Sequence, residues 1–250
     1  MLKTVVSRMN REFMLRYLLS GVMLILSFEG IAQQAEFDIR GRSMYIPARQ
    51  KPWKFDHSLS LAQIYLPSEW LEQSISAPML EYKANFSLPK GFTLNANLRT
   101  LIIANDVRFG PSWQYSPTDR IHVALAYQLG FGYGFLHEFG YNNTIQVWQH
   151  HPMLRAGYSF KNVAITLQGR MDWIMDTKLN VNDYVTSNTT GSTFNGYAVG
   201  MFLEQRLTRR NSISFGFVAN FSKFNILGWP ALNVVDRQYF IPEVNIGFRL

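Results

Sequence analysis

The sequence predicts an all-β protein, a closed antiparallel β-barrel that spans a membrane. Apolar and polar residues alternate with period two over about ten segments of the chain. The polar positions carry more charge than a dry core accepts, because an unpaired buried charge costs several kcal/mol. Aromatic residues stand at the ends of the segments, where membrane-spanning strands meet the two interfaces. Together these observations favour a barrel with a lipid-facing outside over a soluble sandwich.

The alternation predicts ten strands, with eight or twelve kept open as alternatives. In segment 80–88, Leu80 and Tyr82 lie on one face while Glu81 and Lys83 lie on the other. The other segments follow the same pattern. The predicted strands are 58–66, 80–88, 92–100, 107–115, 120–134, 152–160, 163–173, 196–207, 212–222 and 238–250. Because a membrane leaves no water for free backbone groups, we expect the last strand to close on the first.

Short and long connections alternate along the chain. Turns 89–91, 116–119, 161–162 and 208–211 are short, whereas 67–77, 135–151, 174–195 and 223–237 are long. The connection near 104–106 is an exception, because it is short although it alternates with the short turns as the long connections do. The long connections therefore lie at one end of the barrel. Short turns at the other end predict that both termini are periplasmic.

Two further residue sets follow from the alternation. The aromatic residues of the apolar face form two belts at the strand ends: Trp113, Tyr115, Tyr158, Phe160 and Phe248 near the short turns, and Tyr133, Trp173, Tyr197 and Phe240 near the long loops. The charged residues of the polar face are expected to form a network in the lumen: Glu81, Lys83, Arg99, Arg108, Arg155, Arg170, Asp172, Glu204, Arg206, Glu243 and Arg249.

This charge network allows two interpretations. Ten strands lie between the filled interior of an eight-stranded barrel and the aqueous channel of a sixteen-stranded one. Long arginine side chains paired with carboxylates would plug such an interior, which is the interpretation we favour. A pore lined by basic residues is the alternative.

The N-terminus carries a targeting segment. Residues 17–28 form an apolar core after Arg16, and Gly30 and Ala32 have the spacing of a signal peptidase site. We predict cleavage after Ala32, with Met14 as an alternative start. Residues 1–32 are then the signal peptide, 33–56 a periplasmic segment and 57–250 the barrel. The chain has no cysteine, which excludes disulfides and thiolate metal sites.

The signal peptide, hairpin series, belts and terminal strand resemble those of Gram-negative outer-membrane β-barrel proteins. The resemblance covers residues 57–250 and rests on pattern, without a diagnostic motif. It implies a bacterial outer-membrane location, contact with membrane lipid and lipopolysaccharide, and recognition of the terminal strand by the barrel-assembly machinery. That family usually ends in an aromatic residue, whereas this chain ends in Leu250, with Phe248 as the nearest outward aromatic residue.

Candidate chemistry is weak, so we predict that the protein is not an enzyme and has no cofactor or metal. His57 and Ser60 lack the spacing of a barrel hydrolase. Asp172 and Asp176, near the rim of one strand, form a stronger but still poor protease candidate with His137 and His151 in a predicted neighbouring loop. The basic residues form no stripe that would follow nucleic acid, despite a net charge of +7. The glycines of "GFGYG" at 130–134 are expected either to make room for an arginine of a neighbouring strand or to ease the curvature of the barrel.

The predicted function is a structural or accessory subunit that contacts other envelope components through its external loops or wall. A narrow channel for small solutes is the first alternative, and a barrel hydrolase is the second. Leu227, Trp229 and Leu232 lie in an unusually apolar loop. They either fold over the lumen or dock a partner or lipopolysaccharide.

Overall fold

The chain forms one closed barrel in which each strand pairs with its neighbours in sequence. The computed structural model describes residues 38–41, 43–68, 75–137, 142–181, 184–208, 211–231 and 237–250, except the side chains of 184–190 and 230–231. The strands are β1 Phe55–Leu66, β2 Ile75–Ser87, β3 Phe92–Thr100, β4 Ala104–Tyr115, β5 Ile121–Leu136, β6 Asn143–Ser159, β7 Val163–Val181, β8 Tyr184–Arg206, β9 Ser212–Ser222 and β10 Tyr239–Arg249. The predicted signal peptide and Leu232 lie outside the described residues.

The first and last strands form the seam that the sequence predicts. β1 pairs with β10 in an antiparallel register that runs from Ser58 opposite Arg249 to Ile64 opposite Glu243. Closure gives both strands a hydrogen-bonding partner on each side, as a sheet in lipid requires. The described helices are the short 3₁₀ segments Pro89–Gly91 and Ile226–Ala231, and neither is long and apolar enough to cross a membrane.

Alternation separates an apolar outer wall from a polar interior. In β5, Leu125, Tyr127 and Leu129 are exposed on the outside, whereas Ala124 and Gln128 are buried inside. The same division runs along β1, β4, β6 and β9. The large exposed apolar surface makes sense only if lipid covers it.

Two of the predicted long loops are wrong, because most of their residues belong to strands. β6 begins at Asn143, inside predicted loop 135–151, and predicted loop 174–195 is the outer half of the β7–β8 hairpin. Both faces of these strand ends are rich in polar residues, so the period-two signal fades while the pairing continues. Register shifts at Asp172/Trp173 and Leu179/Asn180 weaken the signal further.

The apolar wall leads to a first prediction. Replacing Leu129, in the outer face of β5 midway between the two predicted belts, by arginine places a charge in lipid and should destabilise the folded barrel by about 2–4 kcal/mol. Denaturant titration in liposomes measures this change. Pro117→Arg, at an exposed short turn, is the control; it places the same charge in water and should cost at most about 1 kcal/mol, the loss of proline rigidity. Equal losses in both variants would contradict a lipid-facing wall.

Candidate functional site

The barrel interior is filled at three levels, which we name by their residues. The insert, residues 43–48, enters from the short-turn end. The cap, Ile226–Ala231, enters from the long-loop end. Between them lies the charge layer, a set of inward ionisable side chains that join six strands: Glu81, Arg99, Asp106, Arg108, His151, Arg170, Asp172 and Glu243.

Arg99 is the centre of the charge layer. Its guanidinium binds Glu243 and lies 3.9 Å from Glu81 Oε1 and 4.0 Å from Asp106 Oδ2. Arg108 Nη2 binds the same Asp106 oxygen at 2.6 Å. All of these side chains are buried, so each charge depends on its partners rather than on water. The pairs tie β2, β3, β4 and β10 together across the lumen.

A second group in the charge layer ties β6 to β7. Arg170 Nε donates to Asp172 Oδ1 at 2.7 Å, and His151 Nδ1 lies 2.6 Å from the same oxygen. Arg170 also donates to Asn220 Oδ1 on β9 at 3.1 Å. His151 lies in β6 rather than in the predicted loop, and its Nε2 points at Gly130, where an added Cβ would be 2.6 Å away.

The other predicted lumen charges lie outside this layer. Lys83 binds Glu81 at 3.0 Å and also reaches the Tyr45 hydroxyl. Arg249 binds Asp56 at the seam. Arg206 departs from the predicted network: it lies partly exposed at the end of β8, where Nη1 donates to the Asp38 carbonyl at 2.7 Å.

Sequence reasoning missed Asp106 and Asp56 as partners of these arginines. Asp106 stands two residues before Arg108 and therefore on the same face of β4, but the predicted strand began one residue too late to include it. Asp56 was assigned to the N-terminal segment, whereas β1 already includes it. Extending each strand by two residues in the same alternation would have found both carboxylates.

Glu204 holds the insert in place. Its carboxylate accepts hydrogen bonds from the backbone N–H groups of Met44, Tyr45 and Ile46 at 2.7, 3.1 and 3.0 Å, and from the Ser43 hydroxyl. Successive N–H groups that converge on one anion form a favourable site for negative charge. One buried carboxylate on β8 therefore fixes a whole turn of the insert.

Packing completes the attachment of the insert. The Tyr45 ring stacks on Phe202 with centroids 3.9 Å apart, and Met44 joins the same buried cluster. Burial, followed by the nearby carboxylates, raises the pKa of the Tyr45 phenol well above its ordinary value, so the hydroxyl stays protonated. Gly157 leaves room for Ile46, whose Cγ1 would lie 2.7 Å from an added Cβ. No pattern in the sequence predicts that this segment enters the lumen.

The cap closes the long-loop end with apolar side chains. Ile226, Leu227 and Trp229 are buried in one cluster with inward residues of the wall such as Ile64 and Ile241. Leu227 and Trp229 thus fold over the lumen, one of the two alternatives from the sequence. The expectation that the β5 glycines make room for an arginine is wrong. They make room for the cap and for His151, since Ile226 faces Gly132, Trp229 faces Gly134 and His151 faces Gly130.

A small cavity of about 50 Å³ remains between the charge layer and the insert. Basic side chains dominate its charged lining, which contains Lys83, Arg99, Arg108, Arg155 and Arg170 with Glu81 and Glu243. Arg155 Nε contacts Met153 Sδ at 3.1 Å. In the described part of the chain, Arg155 has no carboxylate within ion-pair distance.

The predicted catalytic candidates do not assemble into an active site. His57 lies on the outer face of β1, while Ser58 and Ser60 point inward. His151 and Asp172 do meet, but Arg170 shares the carboxylate. Among the described residues, no three His, Asp or Glu side chains lie in a metal-binding arrangement.

The predicted belt residues lie on the outer wall, and most of them pack against another aromatic ring. Trp113 and Tyr115 have ring centroids 5.9 Å apart, and Tyr158 lies 4.9 Å from Phe160. Phe248 is exposed at the same end. At the other end, Tyr197 and Phe240 each pack on Phe221, at 5.0 and 5.2 Å. Tyr133 lies 6.1 Å from Phe135, and Trp173 lies 5.3 Å from Phe194.

Comparison with known proteins bears on the fold alone. No family model and no curated protein matches the chain. An outer-membrane channel from Pseudomonas putida F1 is 6% identical, with a TM-score of 0.47 and coverage of 80% of this chain and 97% of that one. The KdgM porin is 11% identical, with a TM-score of 0.37 and coverage of 77% of this chain and 97% of that one. The NanC porin is 11% identical, with a TM-score of 0.40 and coverage of 76% of this chain and 98% of that one. These three proteins are outer-membrane β-barrels, the class that the sequence pattern resembles. The present chain is a closed barrel of ten strands.

The charge layer generates a second prediction. Asp106→Asn leaves Arg108 without its closest carboxylate in a buried site, so we expect a loss of about 3–5 kcal/mol in unfolding free energy. Asp119→Asn is the matched control, since that side chain is 99% exposed and pairs with Arg40 at 3.4 Å; its expected cost is about 0–1 kcal/mol. Denaturant titration in detergent compares the two. A loss at Asp106 no larger than at Asp119 would show that the layer does not hold the wall together.

Proposed function

We propose that this integral barrel is a narrow channel for small anionic solutes, closed at rest by the insert and the cap. The barrel spans the bacterial outer membrane, with the insert at the periplasmic mouth and the cap at the external mouth. The observation that carries the proposal is that both obstructions are separate segments inside a complete wall. Strand pairing of the ten strands does not require either segment, so each can leave without opening the barrel.

The attachment of the insert suits a removable obstruction. Its main polar anchor on the wall is the carboxylate of Glu204, beside the contact between Lys83 and the Tyr45 hydroxyl, and its apolar anchors are two small clusters, around Phe202 and around Ala164. Loss of the Glu204 charge would weaken every hydrogen bond of the anchor together. Residues 49–52 connect the insert to Trp53 and Lys54, whose backbone groups hydrogen-bond to Ser87, and that linker allows the insert to withdraw while β1 stays paired.

Basic lining of the central cavity supports selectivity for anions. The lining holds five basic side chains and two acidic ones. Most of these charges are already paired, but Arg155 faces the cavity without a carboxylate partner in the described part of the chain. A small anion that entered the cavity would meet the positive charge of Arg155 in surroundings of low dielectric, where it acts strongly.

The accessory-subunit function is the second candidate, and the completeness of the charge layer favours it. Every arginine of that layer binds at least one carboxylate, and both mouths are filled. A barrel that only anchors or supports another envelope protein needs no more than this. Electrical measurements separate the two candidates.

A third prediction tests the closed channel in planar bilayers. We expect the wild-type protein to conduct rarely, and Glu204→Gln to raise the open probability at least tenfold, because an amide cannot accept all four hydrogen bonds from the insert. Replacing residues 43–46 by Gly-Ser-Gly-Ser should have a larger effect. Asp119→Asn, the same chemical change on an exposed turn, is the control and should behave like the wild type.

The opposite result has a clear meaning. If both variants keep the heat-modifiable gel mobility of a folded barrel and remain electrically silent, release of the insert does not open the lumen and the accessory-subunit function is favoured. If the wild type conducts steadily, the insert does not close the lumen.

A fourth prediction concerns selectivity. With residues 43–46 replaced, Arg155→Gln should lower the chloride-to-potassium permeability ratio at least twofold, because the cavity loses a cation that no carboxylate of the described residues pairs with. Arg120→Gln removes an equal charge from an exposed turn and should leave the ratio nearly unchanged. Reversal potentials in asymmetric potassium chloride measure both. If Arg155→Gln leaves the permeability ratio unchanged, Arg155 does not line the conducting path.

A further inference from the structure

The barrel wall has a notch at the long-loop end, above the β3–β4 connection. Pairing between β2 and β3 ends at Leu80 opposite Thr100, while β2 itself begins five residues earlier, at Ile75. On the other side of the notch, β5 continues to Leu136 beyond the start of β4 at Ala104, which is opposite Gly134. The wall is therefore lower here than on either side.

An apolar groove of about 590 Å³ occupies this notch. That volume lies within the range of about 300–1,000 Å³ typical of small-molecule sites. Thr100 supplies the single polar side chain among the described lining residues, which are Leu61, Leu66, Ala77, Pro78, Met79, Leu80, Thr100, Leu101, Ile102, Ile103, Leu227 and Gly228. The groove thus runs from the outer wall at Leu61 to the cap at Leu227.

The floor of the groove contains a strained residue. Ile102 has a φ of +72°, in the left-handed region that β-branched residues avoid, and its side chain is 82% exposed. Turn chemistry would place glycine or asparagine at such a position. An isoleucine there extends the apolar surface of the groove at the expense of backbone strain, which points to a role beyond the turn.

The height of β3 places the groove at the membrane boundary. Nine residues, at about 3.3 Å each and tilted by about 40°, rise roughly 23 Å, close to the ~25 Å apolar band of a membrane barrel. The β3–β4 connection Leu101–Ile103 therefore ends level with the edge of the hydrocarbon. Lipid tails can enter the groove directly from the membrane.

We propose that the groove binds a hydrocarbon chain of a membrane lipid and brings it against Leu227 of the cap. The lining is continuous with the lipid-facing wall through the exposed Leu61 and Leu80, so a lipid tail reaches the site without crossing water. A peptide added to the edge of β2 would need backbone donors there, and Pro78 supplies none. The site does not depend on whether the lumen conducts.

Photolabelling in proteoliposomes tests the proposal. The probe is phosphatidylcholine with a diazirine near the end of one acyl chain, mixed into unlabelled phosphatidylcholine, and the labelled peptides are mapped by mass spectrometry. Leu227 lines the inner end of the groove and does not belong to the outer wall, so lipid that merely surrounds the wall would not reach it. We expect label on Leu227 or Gly228 in the wild type, beside label on the outer wall.

Two variants and one control sharpen the experiment. Ala77→Trp fills the groove and should lower cap labelling at least fivefold, whereas Ala156→Trp, the same change on the outer face of β6, should not. Ile102→Gly relieves strain, so it should preserve folding while lowering cap labelling at least twofold. If Ala77→Trp fails to fold, cap labelling of Ile102→Gly alone tests the proposal.

Three outcomes would overturn the proposal. One is an unlabelled cap in the wild type, and another is equal cap labelling in all folded variants. The third is labelling of the cap by a small diazirine hydrocarbon added in water but not by the lipid probe, which would assign the groove to a free apolar solute.

Discussion

Closure of the sheet is the constraint on which the rest of this structure depends. Lipid offers no hydrogen bonds, so each strand needs a partner on both sides, and ten strands meet that demand by pairing β1 with β10. Closure also creates an enclosed space that is lined by the inward-facing residues of every strand. The protein fills that space with residues that could not face lipid, and the filling decides what the barrel can transmit.

The filling changes in character from one end to the other. Apolar side chains of the cap occupy one mouth, paired charges the middle, and a backbone turn bound to Glu204 the other mouth. Each of the three fillings is stabilised in its own way. The cap buries apolar surface, and the charge layer pairs its ions. Glu204 accepts hydrogen bonds from backbone N–H groups of the insert that would otherwise lack partners. Segments attached to the wall close the two mouths, whereas side chains of the wall itself fill the middle.

Much of this fold follows from period two alone, because lipid on one face and polar groups on the other impose the alternation residue by residue. That is why the seam, the strand order and the inward position of Glu81, Arg99 and Glu243 were predictable. The alternation fades where β7 and β8 have polar residues on both faces, and the predicted loops there were wrong. The insert was not predictable, because its partner Glu204 is 160 residues away from Met44 in sequence and no local pattern records such a pairing.

That separation has a consequence for the order in which the barrel assembles. Glu204 lies on the eighth strand, while the turn that binds it precedes the first, so this contact has one of the longest loop closures in the chain. Contacts of high sequence separation form late, because the entropy of the intervening chain must first be lost. The insert is therefore expected to dock after most of the strands have paired. Until then, water can hydrate the charged interior while its ion pairs find their partners, and docking marks the moment at which the lumen becomes sealed.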